Sequence, residues 1–300
     1  MKKWFDNSLV VTKGGQEAMD GIDWPRVIPF IFLHLACLSV IWVGVSSIAV
    51  IIFAISYLIR MFAITAFYHR YFSHKTFRVG RVTQFIFAFI GTTATQRGPL
   101  WWAAHHRHHH IHSDKDADLH SPAQGFWKSH MFWFLNKKNF PTNLERVKDL
   151  ARYRELVWLD RYDIIPPILF AALIFSVGII VEVYFPQLGA SKWQILIWGY
   201  FISTVVLAHI TFSINSVAHR WGTKRFDTND NSRNNWLLAI LTLGEGWHNN
   251  HHRFPYSAKQ GVYWWELDLS YYGLYLLKTF GLVHDLKAPN AEQINKAMSS

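Results

Sequence analysis

Cysteine, charge and carboxylate are all scarce in this chain. Cys37 is the only cysteine, which excludes a disulfide framework and a thiolate metal site. Charged residues make up 17% of the 300, fewer than in an ordinary soluble domain. From Val27 to Ile59 there is no charged residue at all. Met1 to Asp23 is polar and mixed and holds no apolar segment, so no cleavable signal peptide is expected there. Repeats, low-complexity tracts and a domain linker are also lacking, so one domain over 1–300 is expected.

What is abundant is apolar and aromatic. Hydrophobic residues make up 51% and aromatics 17%, with fifteen Trp and twelve Tyr. Trp and Tyr are enriched where protein meets the membrane interface. The 33-residue run 27–59 is too long for one span and suits a hairpin of two, since about 20 residues cross a bilayer. Its turn is expected near Gly44–Ser47, with spans over about 27–43 and 47–68. Arg60 would lie near the polar end of the second span, its stem snorkelling to the interface. A second pair is expected over about 164–185 and 193–215, where Glu182 is the only charge. Thr83 to Thr95 is apolar but too short to cross, and predicts a buried or interfacial helix.

Four spans put the N-terminus, the segment 69–161 and the segment 216–290 on one side. Of the 30 Lys and Arg, only Lys192 falls in a connection on the other side. The positive-inside tendency then makes the large side cytoplasmic, with both termini and the polar segments there. The expected architecture is an all-α integral membrane protein: four transmembrane helices in two hairpins under a cytoplasmic helical cap. This distribution also accounts for the net charge of +10 without nucleic acid, because basic residues beside a bilayer meet anionic lipid head groups. An acidic partner protein is a second use for the same charge.

Against this background the stretch His105–His120, HHRHHHIHSDKDADLH, stands out, with seven imidazoles in sixteen residues. Histidine is the commonest side-chain metal ligand. On an α-helix, residues i, i+3 and i+4 share a face. His106, His109 and His110 have that spacing, and so do His248, His251 and His252. His105, His108 and His112 point to the other side of their helix. His69 and His74 are five apart and converge only if the helix ends or unwinds between them. His219 follows Asn215 by four, so the two share a face at the end of the fourth span.

Nine imidazoles exceed what one metal uses, since a structural zinc takes four ligands. With a water held by Asn215 they would fill two sites of four or five. Residue type suits zinc, copper, iron or nickel alike. No Glu or Asp stands at ligand spacing, which argues against a carboxylate di-iron bundle. A metal transporter is a competing reading. Transporters place ionisable ligands near the bilayer midplane, where this chain offers only His34 and His209, better read as packed or hydrogen-bonded residues.

The segments His69-Arg-Tyr-Phe-Ser-His74, His106-Arg-His-His109-His110 and Gly244-Glu-Gly-Trp-His248-Asn-Asn-His251-His252-Arg-Phe-Pro255 resemble the three histidine boxes of integral-membrane fatty acid desaturases. Asn215-Ser-Val-Ala-His219 resembles the further element of the acyl-CoA Δ9 (stearoyl-CoA type) branch. The flanks fit too, with Trp102 ahead of the second box and Asp116-Ala-Asp118-Leu-His120 after it. The likeness covers roughly residues 30–285. It departs at His105, where eukaryotic members usually carry Asp, and at His108, which takes a usually small position. The third box begins with His, not Gln, unlike the front-end desaturases.

This resemblance implies two iron ions held by His69, His74, His106, His109, His110, His219, His248, His251 and His252, with Asn215 holding a water on one of them. It implies O2-dependent insertion of a cis double bond into a saturated acyl chain, either acyl-CoA or acyl-lipid. No His-Pro-Gly-Gly haem motif is present, so a separate electron donor is expected, of cytochrome b5, ferredoxin or rubredoxin type. Asp114, Asp116, Asp118 and Glu245 are candidates to orient imidazoles through their second nitrogen. A narrow apolar tunnel is expected, with candidate walls at Trp101, Trp102, Phe85, Phe89, Thr92–Thr95, Thr204 and Thr211. A membrane hydroxylase or alkane monooxygenase is the nearest alternative.

Overall fold

The computed structural model describes residues 5–7 and 21–299. Among these the only extended pairing is a few isolated bridges; regular structure is helical. Four helices are long and apolar enough to cross a membrane: Arg26–Val43, Ser47–Ser73, Ile165–Tyr184 and Lys192–Ser216.

Helix α1 (Trp24–Cys37) carries proline in its first turn, where the missing N–H costs nothing. A bend at Leu38–Ser39 leads into the short helix Val40–Val43. Gly44, at φ 67°, stops the helix within the expected turn. Ser46 caps the next helix by accepting from the Ala49 N–H. The Ser46 hydroxyl donates to Gln194 Oε1 at 2.5 Å, and Gln194 Nε2 donates to the Val43 carbonyl at 2.6 Å. The turn is thereby fastened to the start of the fourth long helix.

Helix α2 (Ser47–Phe62) does not stop near residue 68 but continues to Ser73 with π-helical winding over Ala63–Ser73. Arg60 departs from the sequence expectation. It is fully buried, not snorkelling. Its guanidinium donates to the Ser56 carbonyl, to Thr204 Oγ1 at 2.7 Å and to Ser203 Oγ, and sits 4.7 Å from the Phe170 ring centre. The hydroxyls of the fourth long helix supply polar partners inside the bundle, so the side chain has no need to reach water.

The apolar stretch expected to stop short of a span is α3 (Arg81–Thr92), a 12-residue helix. It packs on α2, with Phe87 stacked on Phe67 at 3.6 Å. Helix α4 (Pro99–His112) also opens on proline, and Asp160 accepts the Trp101 N–H at 2.8 Å as a borrowed cap. Asp160 belongs to α5 (Arg154–Arg161). Gly98 is required there, because a Cβ would stand 2.4 Å from the Asp160 Cα.

Helices α6 (Ile165–Tyr184) and α7 (Lys192–Ser216) lie along one another. Their closest approach is Gly178, where a Cβ would meet the Lys192 backbone at 2.7 Å. Glu182 and Lys192 pair at 3.1 Å. The four long helices turn Phe32, Trp42, Ile51, Leu173, Val183 and Trp193 outward. So broad an apolar surface suits lipid, not water. The main core runs between α2, α3, α4 and α7. After α7 come four shorter helices, α8 (Trp236–Leu241), α9 (His248–Arg253), α10 (Leu269–Thr279) and α11 (Ala291–Met298).

Candidate metal centre

The nine histidines singled out above fall into two groups. His69, His74, His106, His110 and His251 form one; His109, His219, His248 and His252 form the other. Within each group the candidate ligand nitrogens lie within 4.8 Å of one another. The second box gives its i, i+4 pair, His106 and His110, to the first group and His109 to the second. The third box does the reverse: His248 and His252 go to the second group and His251 to the first. The facing argument placed all three imidazoles of a box together. The structure divides the second and third boxes: His110 of α4 meets His251 of α9 in the first group, and His109 meets His252 in the second.

His69 and His74 come together at a helix end, as their spacing required: the winding stops at Ser73, with His74 as its C-cap. Up to that end it is π-helical, and the His74 N–H donates to the His69 carbonyl at 3.2 Å. An i→i+5 bond widens the turn and brings residues five apart onto nearly one face. Such windings are rare and concentrate at functional sites.

The ring nitrogens identify what fits here. His109 Nδ1 meets Asp118 at 3.1 Å, His219 Nδ1 meets Asp114 at 3.0 Å and His252 Nδ1 meets Asp230 at 2.6 Å. His69 Nδ1 pairs with Glu245. A carboxylate holding Nδ1–H leaves Nε2 as a bare lone pair. Yet Nε2 of His109 and of His252 is buried with no hydrogen-bond partner among the described residues. The Nε2 atoms of His219 and His248 stand 2.9 Å apart, and those of His74 and His106 2.7 Å apart. His251 Nε2 is 3.1 Å from His69 Nε2 and 3.0 Å from His110 Nε2. Converging lone pairs repel, and unpaired buried ones are costly. A cation in each group satisfies both conditions, so the donor set fits metal ions.

The electrostatics agree. Burial holds His74, His106, His110, His248 and His251 well below the usual imidazole range, and brings His252 to about 4. These rings are therefore neutral at pH 7, the form that ligates. Burial would raise the Glu245 carboxyl, but His69 and Arg70 bring it down to about 2. Bonds to imidazoles likewise overcome burial at Asp114, Asp118 and Asp230, which lie below the usual carboxylate range.

A cavity of about 260 Å³ reaches both groups, touching His69, His106, His109 and His248. Trp101, Trp102, Thr95, Thr204, Thr211 and Asn215 line it. Trp102 stacks on the His106 ring at 5.0 Å. Phe85 and Phe89 are not among the walls; they pack against the core.

The sequence profile of fatty acid desaturases matches residues 41–274. The chain is 38% identical to the sn-2 palmitoyl-lipid 9-desaturase of Nostoc sp. (strain 36), over 86% of this chain and 88% of that one. It is 36% identical to the acyl-CoA C20 Delta5-desaturase of Anemone leveillei, over 79% of this chain and 73% of that one. It is 33% identical to the sn-1 stearoyl-lipid 9-desaturase of Anabaena variabilis, over 91% and 96% respectively. This chain belongs to the fatty acid desaturase family. Desaturases are oxidoreductases that act on paired donors with O2, and the chain is an enzyme of that class.

Within this desaturase, Asp114, Asp118 and Glu245 meet imidazoles, whereas Asp116 is exposed and meets none in the hydrogen bonds described. Asp230 was missed. It sits in a polar loop 11 residues past His219, with no local spacing to announce it. Gln260, which donates to Glu245 at 2.7 Å, was missed for the same reason. His120 forms a third tight set with His109 and Asp118; its place just after the second box was the available signal. His105 and His108 turn away, to the carbonyls of Trp101 and Ala117. His34 and His209 bond one another at 2.9 Å, and His130 joins His209 at 3.0 Å.

Proposed function

We propose that this chain inserts a cis double bond, at the Δ9 position, into a saturated fatty acyl chain, using two irons and electrons from a separate donor protein. The observation that carries this is the set of bare Nε2 lone pairs converging at one end of an apolar cavity. His69, His74, His106, His110 and His251 would hold one iron. His109, His219, His248 and His252 would hold the other, with Asn215 positioning a water beside it. Bound iron supplies the redox chemistry with O2 that removes hydrogen from an unactivated methylene.

The chain's own residues supply the setting. Glu245, Asp118, Asp114 and Asp230 fix the tautomer and aim of the imidazoles they hold. Arg70, buried between Glu245 and Asp268, holds Glu245 in place. Trp101 and Trp102 narrow the cavity beside His106, which admits a methylene chain and excludes water.

The membrane arrangement belongs to this reading. The four long helices form two transmembrane hairpins in one domain, and the segments 69–161 and 216–290 form a cytoplasmic cap. Both termini lie on the cap side, where the basic residues are concentrated. Reporter fusions check this: one at Ala190 should report the non-cytoplasmic side and one at the C-terminus the cytoplasm. The reverse pattern would invert the topology.

Expression in a desaturase-deficient host, followed by fatty acid profiling with double-bond location, tests the activity. A new Δ9 alkene is the expected product. A hydroxylated acid without alkene would replace desaturation by hydroxylation.

A further inference from the structure

The two groups are not held in the same way. Carboxylates grip the Nδ1 atoms of His109, His219 and His252, three of the four rings of the second group. In the first group, among the described residues, a carboxylate meets only His69. Nδ1 of His251 is buried with no hydrogen-bond partner among them. The aim of the other rings of the first group must therefore come from how their backbones are held.

Arg107 lies inside the second box, directly after His106 on α4. Among the described residues its guanidinium bonds no imidazole; it grips backbone and one carboxylate. Nε donates to the Ser73 carbonyl at 3.0 Å and Nη2 to the Phe72 carbonyl at 2.7 Å. Nη1 donates to the Arg146 carbonyl at 2.9 Å and to Asp149 Oδ1 at 2.7 Å, and Nη2 also to Asp149 Oδ2 at 3.2 Å. All five N–H groups of the fork are thereby used.

The choice of carbonyls matters. Phe72 and Ser73 are the last two residues of the π-helical stretch. The carbonyls of a helix's last turn have no partner within the helix, and a cation there also meets the negative end of the helix dipole. His74 follows Ser73 directly, just as Arg107 follows His106. The hydrogen bond between Arg107 and Ser73 is thus one residue away from each of two rings whose Nε2 atoms stand 2.7 Å apart. Lys75, one residue past His74, has φ 53°, a strained conformation for a residue with a Cβ. Its ammonium meets the same Asp149 at 2.7 Å. Asp149, on the short helix Lys148–Ala151, so fastens both flanks of the contact.

We propose that Arg107 is the positioning residue of the first group: by clasping the end of the π-helical winding to α4 it sets the separation of His74 and His106, and with it the metal affinity of that group alone. This rests on the two-site metal reading. A Lys at 107 keeps the charge but has no planar fork, so it cannot hold two carbonyls and a carboxylate at once. The second group keeps its own carboxylates and does not depend on the clasp.

The test uses the full-length protein purified in detergent and loaded with cobalt(II), which suits imidazole donors. Elemental analysis counts the ions per chain, and chelator competition gives the affinity of each. Arg107→Lys should weaken one ion by about tenfold or more, the scale seen when a group that orients a ligand is lost, and leave the other as in wild type. Asp149→Asn, a change outside both groups that keeps one acceptor, should weaken the same ion by less. Asp230→Asn marks the other ion, because it loosens His252 of the second group. In the double variant of Arg107→Lys with Asp230→Asn both ions should be weakened, each as in its single variant. Parallel weakening of both ions by Arg107→Lys, unchanged affinity for both, or weakening of the ion that Asp230→Asn marks overturns the proposal. Fewer than two ions in the wild-type protein would overturn the two-site reading itself and the proposal with it, and that result is read before any variant is made.

Discussion

At the scale of single residues, adjacent imidazoles differ in what they do. His108 and His109 are adjacent, yet one bonds the Ala117 carbonyl and the other lies buried against Asp118. Replacing His109 or His251 by Ala should remove bound metal and reduce double-bond formation by more than about a hundredfold, with the protein still in the membrane. His108→Ala should keep its metal. Elemental analysis of the purified variants checks both, and full metal in His109→Ala would dissolve the second group. Asp230 offers a finer test. It holds His252 without being a candidate ligand, so Asp230→Asn should weaken metal binding by about 10–100-fold. Chelator competition measures this, and unchanged affinity would reduce Asp230 to a loop residue. The carboxylates differ in legibility for a similar reason. Asp114 and Asp118 lie within the histidine-rich stretch and were visible there. Asp230 reaches His252 only because the loop after His219 folds back over α9.

Among the elements, winding and close approach decide the geometry. The π-helical stretch Ala63–Ser73 gives His69 and His74 a shared direction that no α-helical reading of HxxxxH supplies. The helices themselves were legible, because uninterrupted apolar runs and the Gly44 and Pro186 turns are local signals. Three of them end within a residue or so of their expected ends; the far end of the second does not. The second long helix overruns its expected end by several residues, since packing of α3 and α4 against it continues past Tyr68. Gly178 shows how tightly α6 and α7 are matched. Gly178→Val would drive a side chain into the Lys192 backbone, where nothing flexible can yield. The cost should be about 1–3 kcal/mol, the usual range for overpacking. A melting temperature in detergent equal to wild type would mean that the two helices can separate there freely.

Over the molecule as a whole, buried charge ties the polar segments to the long helices. Asp160 caps α4 and also accepts from Thr142 Oγ1 at 2.6 Å. Burial pushes its carboxyl up to about 6. A folded-state value above the ordinary 3.8 means that the native protein holds the proton more tightly than the unfolded chain. This contribution to stability is complete below about pH 4 and is lost as pH rises through about 6. The melting temperature of Asp160→Asn, which keeps an acceptor for Trp101, should therefore vary less than that of wild type between pH 5 and 7. Parallel pH profiles of the two proteins would rule this out.

The chain's local patterns determined the helical class, the four apolar segments and which imidazoles belong to the chemistry, because hydropathy runs and i, i+3, i+4 spacing depend only on near neighbours. Tertiary structure alone decided how the boxes are shared between two groups, that Arg60 is enclosed and that Asp230 and Arg107 support the site. Each of those depends on contacts between segments tens to hundreds of residues apart, and no periodicity in the sequence encodes such a meeting.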